Sequence, residues 1–176
     1  MTEHARRWIG LLAGALLCGP ALAEKADKDK PTSIEANRMS SDDARRMSIF
    51  EGNVVLTKGT IVVRAERIVV RQDADGFQIS TATGKPARFR QKGDPKGDKE
   101  GLWTEGEALR IEINDHDEKV ELFERARVTR DQDVVTGEYI FLDQRSEYFS
   151  VSAGKGAAAS ERVKTVIQPK TKPEAK

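Results

Sequence analysis

FEGNVVLTKGTIVVRAERIVV, from Phe50 to Val70, is the stretch that decides the fold class. It is rich in β-branched residues, which favour strands, and it holds no plausible catalytic nucleophile. Similar short runs of Val, Ile, Phe and Thr recur along the chain, separated by segments rich in Gly, Asp and Asn. No amphipathic helix pattern is longer than about three turns. The sequence therefore predicts an all-β protein.

A degraded copy of this stretch follows 72 residues later without a gap. The aligned positions are Thr57 with Thr129, Val63 with Val135, Ala65-Glu66 with Gly137-Glu138, Ile68 with Ile140, and Val70 with Leu142. A shorter unit of four residues begins at Ala36, Ala65, Gly106 and Gly137. In each copy a small residue is followed by Glu or Asn, then by any residue, and then by an apolar one. Such repeats predict stacked strands that bury their apolar faces together. Because a small residue permits a kink, we expect the sheet to fold into a V there.

Composition divides the chain into four segments. Residues 1–23 carry a basic start, an apolar run and a small-residue cleavage site, which predict a cleaved secretory signal peptide, with an uncleaved anchor as the alternative. Residues 24–31 are predicted to be a flexible leader and residues 169–176 a flexible tail. Residues 32–168 then form one domain. The single cysteine, Cys18, lies in the signal segment, so we expect neither a disulfide nor thiol chemistry in the exported protein.

Charge and motifs narrow the function. The net charge is +1, and the charged residues mostly alternate with apolar ones, so no basic footprint for nucleic acid is present. The run Asp115-His116-Asp117-Glu118 offers metal-ligand side chains, but adjacent side chains rarely converge on one ion, and we interpret the run as a solvated turn. GKG at residues 154–156 lacks the spacing of a phosphate loop. We predict no catalytic residue, no metal and no cofactor.

The motifs GNV (52–54), KGT (58–60), AER (65–67) and GKPA (84–87), in this spacing, resemble those of the OstA-like family. The match extends from about residue 31 to residue 169. One departure is FERARV (123–128), where Glu124-Arg125 stands in place of the Gly-Asn that the family more often has. The resemblance implies an antiparallel β-jelly roll, folded over like a taco, with an apolar slot along its length. Residues 32–168 would then be an OstA-like lipid-binding domain.

The resemblance also implies a function and partners. Members of the family are periplasmic lipopolysaccharide-transport proteins that join end to end into a bridge between the inner and outer membranes. The lipid A acyl chains travel in the slot. An LptC-like inner-membrane component is expected at the N-terminal edge, and an LptD-like outer-membrane component at the C-terminal edge. Two other functions stay open: a structural β-repeat adaptor that pairs sheet edges without lipid, and an anchored LptC-like component. An enzyme is disfavoured.

Strand alternation identifies the residues expected to line the slot. Successive side chains of a strand point to opposite faces, and each buried CH₂ contributes about 0.8 kcal/mol, so a carrier needs a continuous apolar face. The predicted lining consists of Ile34, Phe50, Val54, Leu56, Ile61, Val63, Ile68, Val70, Phe89, Leu109, Ile111, Ile113, Val120, Leu122, Ile140 and Leu142. The alternate positions hold Arg64, Arg67, Arg88, Arg90, Arg110, Glu112 and Glu121. From the alternation alone, the same apolar set favours an ordinary closed core over a ligand slot.

The two ends of the domain are predicted to be open sheet edges. In ERVKTVIQP (161–169), Val163, Thr165 and Ile167 alternate with Arg162, Lys164 and Val166, and Pro169 removes a backbone donor and ends the strand. We expect Val163, Thr165 and Ile167 at the C-terminal edge and Ile34 at the N-terminal edge to pair with partner strands. The alternative is that the terminal strand protects the protein's own sheet.

Overall fold

The described part of the chain is one antiparallel sheet. The computed structural model describes residues 27, 30–95, 100–146, 148–154 and 162–169. Within these residues ten strands follow the order β1-β3-β4-β5-β6-β7-β8-β10, while β2 also pairs with β3 and β9 with β8. The strands are β1 (Thr32–Glu35), β2 (Arg38–Asp42), β3 (Met47–Lys58), β4 (Ile61–Gln72), β5 (Gln78–Lys92), β6 (Trp103–Asn114), β7 (Lys119–Arg130), β8 (Asp133–Asp143), β9 (Tyr148–Ser152) and β10 (Lys164–Val166). The all-β prediction is confirmed.

The predicted segment boundaries lie mostly beyond these residues. The predicted signal peptide, residues 1–23, is outside the described residues, as are most of the predicted leader and of the predicted tail. The described strands begin at Thr32 and end at Val166, within the domain predicted at 32–168. In the described residues no helix has the length and apolar character needed to cross a membrane.

A line of register shifts crosses the sheet between neighbouring long strands. The shifts fall between Glu51 and Val54 in β3, Arg64 and Arg67 in β4, Thr83 and Ala87 in β5, Glu107 and Arg110 in β6, and Phe123 and Ala126 in β7. We call this line the crease. Because a β-bulge bends its strand and increases its twist, a row of bulges folds the whole sheet.

The crease divides the sheet into two wings. Wing A comprises residues 54–64, 87–95, 100–107 and 126–137, and wing B comprises residues 47–51, 67–83, 110–123 and 139–143. Val54 and Phe89 of wing A share one buried cluster with Ile68, Leu122 and Ile140 of wing B. The inner faces of the wings therefore pack on each other, as the expected V requires.

The small residues of the repeat act in two ways. Ala65 and Gly137 flank the crease, where a bulge begins. Gly106, in contrast, lies in regular pairing opposite Phe89, and a Cβ atom there would meet the Phe89 ring and the Leu122 side chain. At Gly106 the small residue therefore leaves room for packing between the wings, and the expected kink lies two to three residues further along β6.

The 72-residue repeat is present in the backbone. β3 and β7 both have 12 residues, and adding 72 to the first residue of β3 or β4 gives the first residue of β7 or β8. Left-handed backbone conformations recur at the same interval: they occur at Arg46, Gly52, Asn53 and Gly59, and again at Glu118, Glu124, Arg125 and Asp131. We call β1 to β5 the first unit and β6 to β10 the second unit.

Candidate binding slot

The space between the wings is lined by the predicted apolar residues. Fifteen of the sixteen predicted lining residues belong to the buried cluster or pack against it. Ten of them are buried, and Ile34, Phe50, Ile61, Ile113 and Leu142 are partly buried. Alternation of side chains along each strand places them all on the inner face. Their contact with lipid stays a prediction.

Leu109 is the exception. It is half-buried and lies outside the apolar cluster, whereas Ala108 is 1% exposed and belongs to it. The prediction placed Leu109 on the same face as Ile111 and Ile113. In the structure the buried positions of β6 change from Gly106 and Ala108 to Ile111 across the register shift between Glu107 and Arg110, so the alternation reverses there. The inward assignment of Leu109 is therefore wrong.

Sequence reasoning also missed most of the small residues of the lining. Ala65, Ala87, Ala108 and Ala126 all lie beside the crease and on the inner face, and Ala82, Val128 and Val151 complete the set. The wings approach each other most closely where they join, so only small side chains fit beside the bulges. Alanines next to each predicted kink are the signal that could have identified them.

A cavity of about 420 Å³ opens between the wings at the end away from the crease. Its apolar lining includes five of the predicted residues and four others. These are Ile61, Phe89, Ile113, Val120 and Leu142, together with Val128, Val135, Tyr148 and Phe149. Its rim is charged and carries both signs, with Lys58, Lys92, Asp115, Lys119, Arg130, Asp133 and Asp143. An apolar interior below a charged rim suits a molecule with a hydrocarbon part and a polar head.

A second cavity continues the slot toward the N-terminal end of the sheet. It has a volume of about 230 Å³ and lies against Ile34 of β1, Phe50 of β3 and Val70 of β4. Polar side chains such as Ser48 and Arg46 surround these apolar residues. Apolar surface is thus available between the wings near both ends of the sheet.

An ion pair joins the wings at the mouth of the larger cavity. Lys58, at the end of β3 in wing A, places its Nζ atom 2.6 Å from Oδ2 of Asp115 in the β6–β7 turn of wing B. The two side chains are only 13% and 23% exposed. The side-chain amides of Gln91 and Gln144 also bond across the same opening. We call the Lys58–Asp115 pair the latch, because it holds the two rims together.

The outer face of the sheet is covered by paired charges. Glu51 lies between Arg38 and Arg67, and Glu107 lies between Arg88 and Arg127. The seven predicted outward residues are all exposed or half-buried, in keeping with the alternation. This face is hydrophilic, so the continuous apolar surface of the described sheet is on the inside.

Two aromatic side chains on the outer face contact charged residues of the same face, Arg110 and Glu121. The Arg110 guanidinium lies 3.7 Å from the centre of the Phe123 ring. The Tyr139 hydroxyl donates a hydrogen bond of 2.6 Å to Glu121. Burial of the phenol, followed by the neighbouring Glu121 carboxylate, raises the pKa of Tyr139 to about 12.

His116 belongs to a turn contact between two loops. Its Nδ1 atom lies 3.4 Å from Oδ2 of Asp73, and the Phe77 ring stacks against the imidazole at 4.4 Å. Asp73 accepts backbone hydrogen bonds from Asp75 and Phe77. Burial opposes ionisation of Asp73, but these bonds and His116 lower its pKa overall. The Asp73 carboxylate thus holds the β4–β5 turn together and connects it to His116 in the β6–β7 turn.

The predicted edge residues lie at the two ends of the sheet. Ile34 pairs with Leu56, and Thr165 pairs with Val135, so the outer edges of β1 and β10 face away from the described sheet. Val163 and Ile167 flank the short strand β10 and are 40% and 74% exposed. Pairing of these edges with a partner chain stays a prediction.

Comparison with known proteins agrees with this geometry. Residues 33–148 match the family described as LptA/(LptD N-terminal domain) LPS transport protein. The lipopolysaccharide export system protein LptH of Pseudomonas aeruginosa is 28% identical over 165 residues, which cover 92% of each chain. The lipopolysaccharide export system protein LptA of Escherichia coli K12 is 31% identical over 166 residues, 90% of this chain and 83% of that one.

A solved structure shows the same fold. The crystal structure of LptH, described as the LptA homologous periplasmic component of the conserved lipopolysaccharide transport device from Pseudomonas aeruginosa, superposes with a TM-score of 0.73. The sequence identity is 27%, and the match covers 82% of this chain and 99% of that one.

Proposed function

Because the chain belongs to the LptA and LptD N-terminal-domain family of lipopolysaccharide transport proteins, we propose that it is a periplasmic carrier and bridge for lipopolysaccharide. It holds the acyl chains between wings A and B and passes the lipid from the inner toward the outer membrane. It performs no catalysis, so the energy for transport comes from a partner.

The observation that carries this proposal is the apolar slot with its charged rim. Each acyl CH₂ group moved out of water contributes about 0.8 kcal/mol, so a chain of about a dozen carbons gains on the order of 10 kcal/mol in such a slot. Phe89, Ile113 and Leu142 offer that surface inside the mouth. Lys92, Lys119 and Arg130 at the rim lie where a phosphorylated head group would remain in water.

The size of the cavity indicates that the wings must separate to admit the lipid. A volume of about 420 Å³ is within the roughly 300–1,000 Å³ range of pockets for small molecules. A lipid with several acyl chains is larger. We expect it to enter through the mouth once the latch between Lys58 and Asp115 has opened.

The finer assignments of partners and segments belong to the same proposal. The N-terminal edge at Ile34 receives an LptC-like strand, and the C-terminal edge around Thr165 pairs with an LptD-like domain or with another copy of the chain. Within the described sheet, β1 and β10 each have an edge without a strand partner, which supports this assignment, because such head-to-tail contacts extend instead of closing. Residues 1–23 would be removed on export, and residues 32–168 would be the lipid-binding domain.

Aspartate substitutions inside the slot test the proposal. Ile113→Asp and Phe89→Asp should each lower lipopolysaccharide binding by about tenfold or more, because a carboxylate in the slot loses hydration without a partner. Val62→Asp is the matched control, since Val62 is half-buried on the outer face opposite Arg90. Binding of purified lipopolysaccharide is measured together with circular dichroism, so that unfolded variants are recognised.

Folded slot variants that bind lipopolysaccharide as the parent does would exclude lipid from the slot. They would favour the alternative of an adaptor that pairs sheet edges without lipid. Equal losses in Val62→Asp and in the slot variants would contradict the assignment of the inner face.

A further inference from the structure

The two units of the sheet meet at a seam inside the molecule. β5 is the last strand of the first unit, β6 is the first strand of the second, and the two pair along both wings. The two ends of the described sheet carry the equivalent strands: β1 and β2 begin the first unit, and β9 and β10 end the second. The β5–β6 seam is therefore an internal example of how the end of one unit joins the start of another.

The pairing registers identify the equivalent residues at the C-terminal end. Val62 of β4 pairs with Arg90, and Val134 of β8, 72 residues later, pairs with Val166. Val166 therefore occupies the place of Arg90. By the same correspondence, Thr165 occupies the place of Phe89, and Lys164 that of Arg88.

The 72-residue interval gives the equivalents at the N-terminal end. Thr104 to Asn114 of β6 correspond to residues 32–42, which begin with β1 and end with β2. Ser33, Ile34 and Glu35 thus stand where Glu105, Gly106 and Glu107 stand in the seam. Met39 stands where Ile111 does.

We propose that two copies of this chain join with β10 of one copy against β1 of the next in the register of the β5–β6 seam. Lys164 then lies opposite Glu35 of the next copy, Thr165 opposite Ile34, and Val166 opposite Ser33. Val151 of β9, which pairs with the wing B part of β8, lies opposite Met39 of the next copy. This register rests on the end-to-end assembly proposed above and specifies it.

The side chains that meet in this register match those of the seam in charge. Arg88 and Glu107 form an ion pair of 3.2 Å across the seam, and Lys164 and Glu35 repeat its signs. Opposite charges at facing positions stabilise an antiparallel pair, and like charges destabilise it. Lys164 and Glu35 are therefore the residues that select this register.

The side chains match in size as well. In the seam, Phe89 packs over Gly106 on the inner face. In the joint, the smaller Thr165 faces the larger Ile34. A large residue thus again faces a small one, but here the large residue is on the strand that begins a unit and not on the strand that ends one. Both side chains point into the slot, which would thus continue from one copy into the next.

Met39 gives an independent reason for the same contact. It is an apolar residue of β2 and is 59% exposed in the single chain. In the seam its counterpart Ile111 is fully buried against Ala82. In the proposed register Val151 of the neighbouring copy covers Met39 in the same way.

Charge reversal tests the register in solution. Lys164→Glu and Glu35→Lys should each weaken self-association by about threefold to tenfold, because like charges then face each other. The doubly reversed chain should associate as the parent does. An equimolar mixture of the two single variants should also recover, since each end of one variant then meets the opposite charge on the other. Light scattering against concentration measures all four samples.

Cysteine pairs locate the register directly. Facing residues of an antiparallel pair have Cα atoms about 4.5–5.5 Å apart, within reach of a disulfide. The pair Val166→Cys with Ser33→Cys should therefore produce a cross-linked ladder under oxidation. The control pair Val166→Cys with Glu35→Cys is two residues out of register, at about 7–8 Å, and should cross-link poorly. The two single-cysteine variants account for any product formed through Cys18.

The outcomes separate this inference from the function on which it rests. Recovery in the mixture and a ladder from the Val166–Ser33 pair support the register. Parent-like association of both single variants, or a stronger ladder from the Val166–Glu35 pair, overturns the register and leaves end-to-end assembly standing. A parent chain that stays monomeric at high concentration, together with no ladder from either cysteine pair, overturns both.

Discussion

Replacement of Glu124 by glycine should stabilise the protein. Glu124 and Arg125 occupy the bulge of β7 with φ angles of +65° and +55°. The equivalent residues of the first unit, Gly52 and Asn53, have φ angles of +80° and +49°. Glycine and asparagine tolerate this left-handed conformation, whereas glutamate places its Cβ too close to the following carbonyl oxygen. The second unit therefore carries strain that the first unit does not.

The size of the effect follows from two opposing terms. Relief of the left-handed conformation at one residue contributes about 1–2 kcal/mol. The greater freedom of glycine in the unfolded chain costs about 0.4–1 kcal/mol. Since Glu124 is exposed, its replacement sacrifices no buried packing. We expect Glu124→Gly to raise the free energy of unfolding by about 0.5–1 kcal/mol, which corresponds to roughly 1–4 °C in Tm for a domain of this size.

Denaturant unfolding followed by circular dichroism measures this change. Arg127→Gly is the matched control: Arg127 is exposed in the same strand and outside the left-handed positions, so glycine there should destabilise by about 0.5–1 kcal/mol. Gly52→Glu should also destabilise, because a Cβ at Gly52 would lie 2.7 Å from the Asn37 amide nitrogen. If Glu124→Gly lowers stability as much as Arg127→Gly does, the strain argument is refuted.

Three further predictions concern pH, the latch and the C-terminal edge. The pKa of Tyr139 is about 12 in the fold against 10 ordinarily. The contribution of Tyr139 to the free energy of unfolding is therefore fully present below pH 10 and is lost as the pH rises toward 12. Tyr139→Phe should flatten the dependence of the free energy of unfolding on pH in this window, and an unchanged slope would contradict the assignment. Lys58→Met combined with Asp115→Asn should lower the free-energy cost of opening the mouth by about 1 kcal/mol, so lipopolysaccharide should associate about fivefold faster in stopped-flow measurements. An unchanged rate would show that the latch does not limit entry. Deletion of residues 161–176 should abolish self-association in light scattering while lipid binding persists, and a folded truncated protein that still forms filaments would count against pairing through β10.

The fold class and most of the lining could be predicted because both follow from local patterns. The 72-residue interval that aligns Ile68 with Ile140 in the sequence also separates the first residues of β3 and β7, and of β4 and β8, in the structure. Parity along β3 and β4 placed Val54, Leu56 and Val63 correctly on the inner face. These are strands in which the side-chain period of two is kept on each side of the bulge.

Counting alternate positions along a strand could not predict the outward position of Leu109 or the four alanines beside the crease, which are Ala65, Ala87, Ala108 and Ala126. No glycine lies between Glu107 and Arg110, and nothing in GEALRI marks the point at which the alternation of β6 reverses. The latch was missed for another reason. Lys58 and Asp115 are 57 residues apart in the chain, and only the folding of the two wings brings them together.

Photo-crosslinking in living cells tests the central claim, that the lipid lies between the wings. A photoreactive residue at Phe89 or Ile113 faces the larger cavity, while the same probe at the adjacent outward positions Arg90 and Glu112 faces solvent. The account predicts covalent adducts with lipopolysaccharide at Phe89 and Ile113 and none at Arg90 and Glu112. Adducts at the outward positions alone, or at no position while the protein is folded and supports lipopolysaccharide transport, would contradict it.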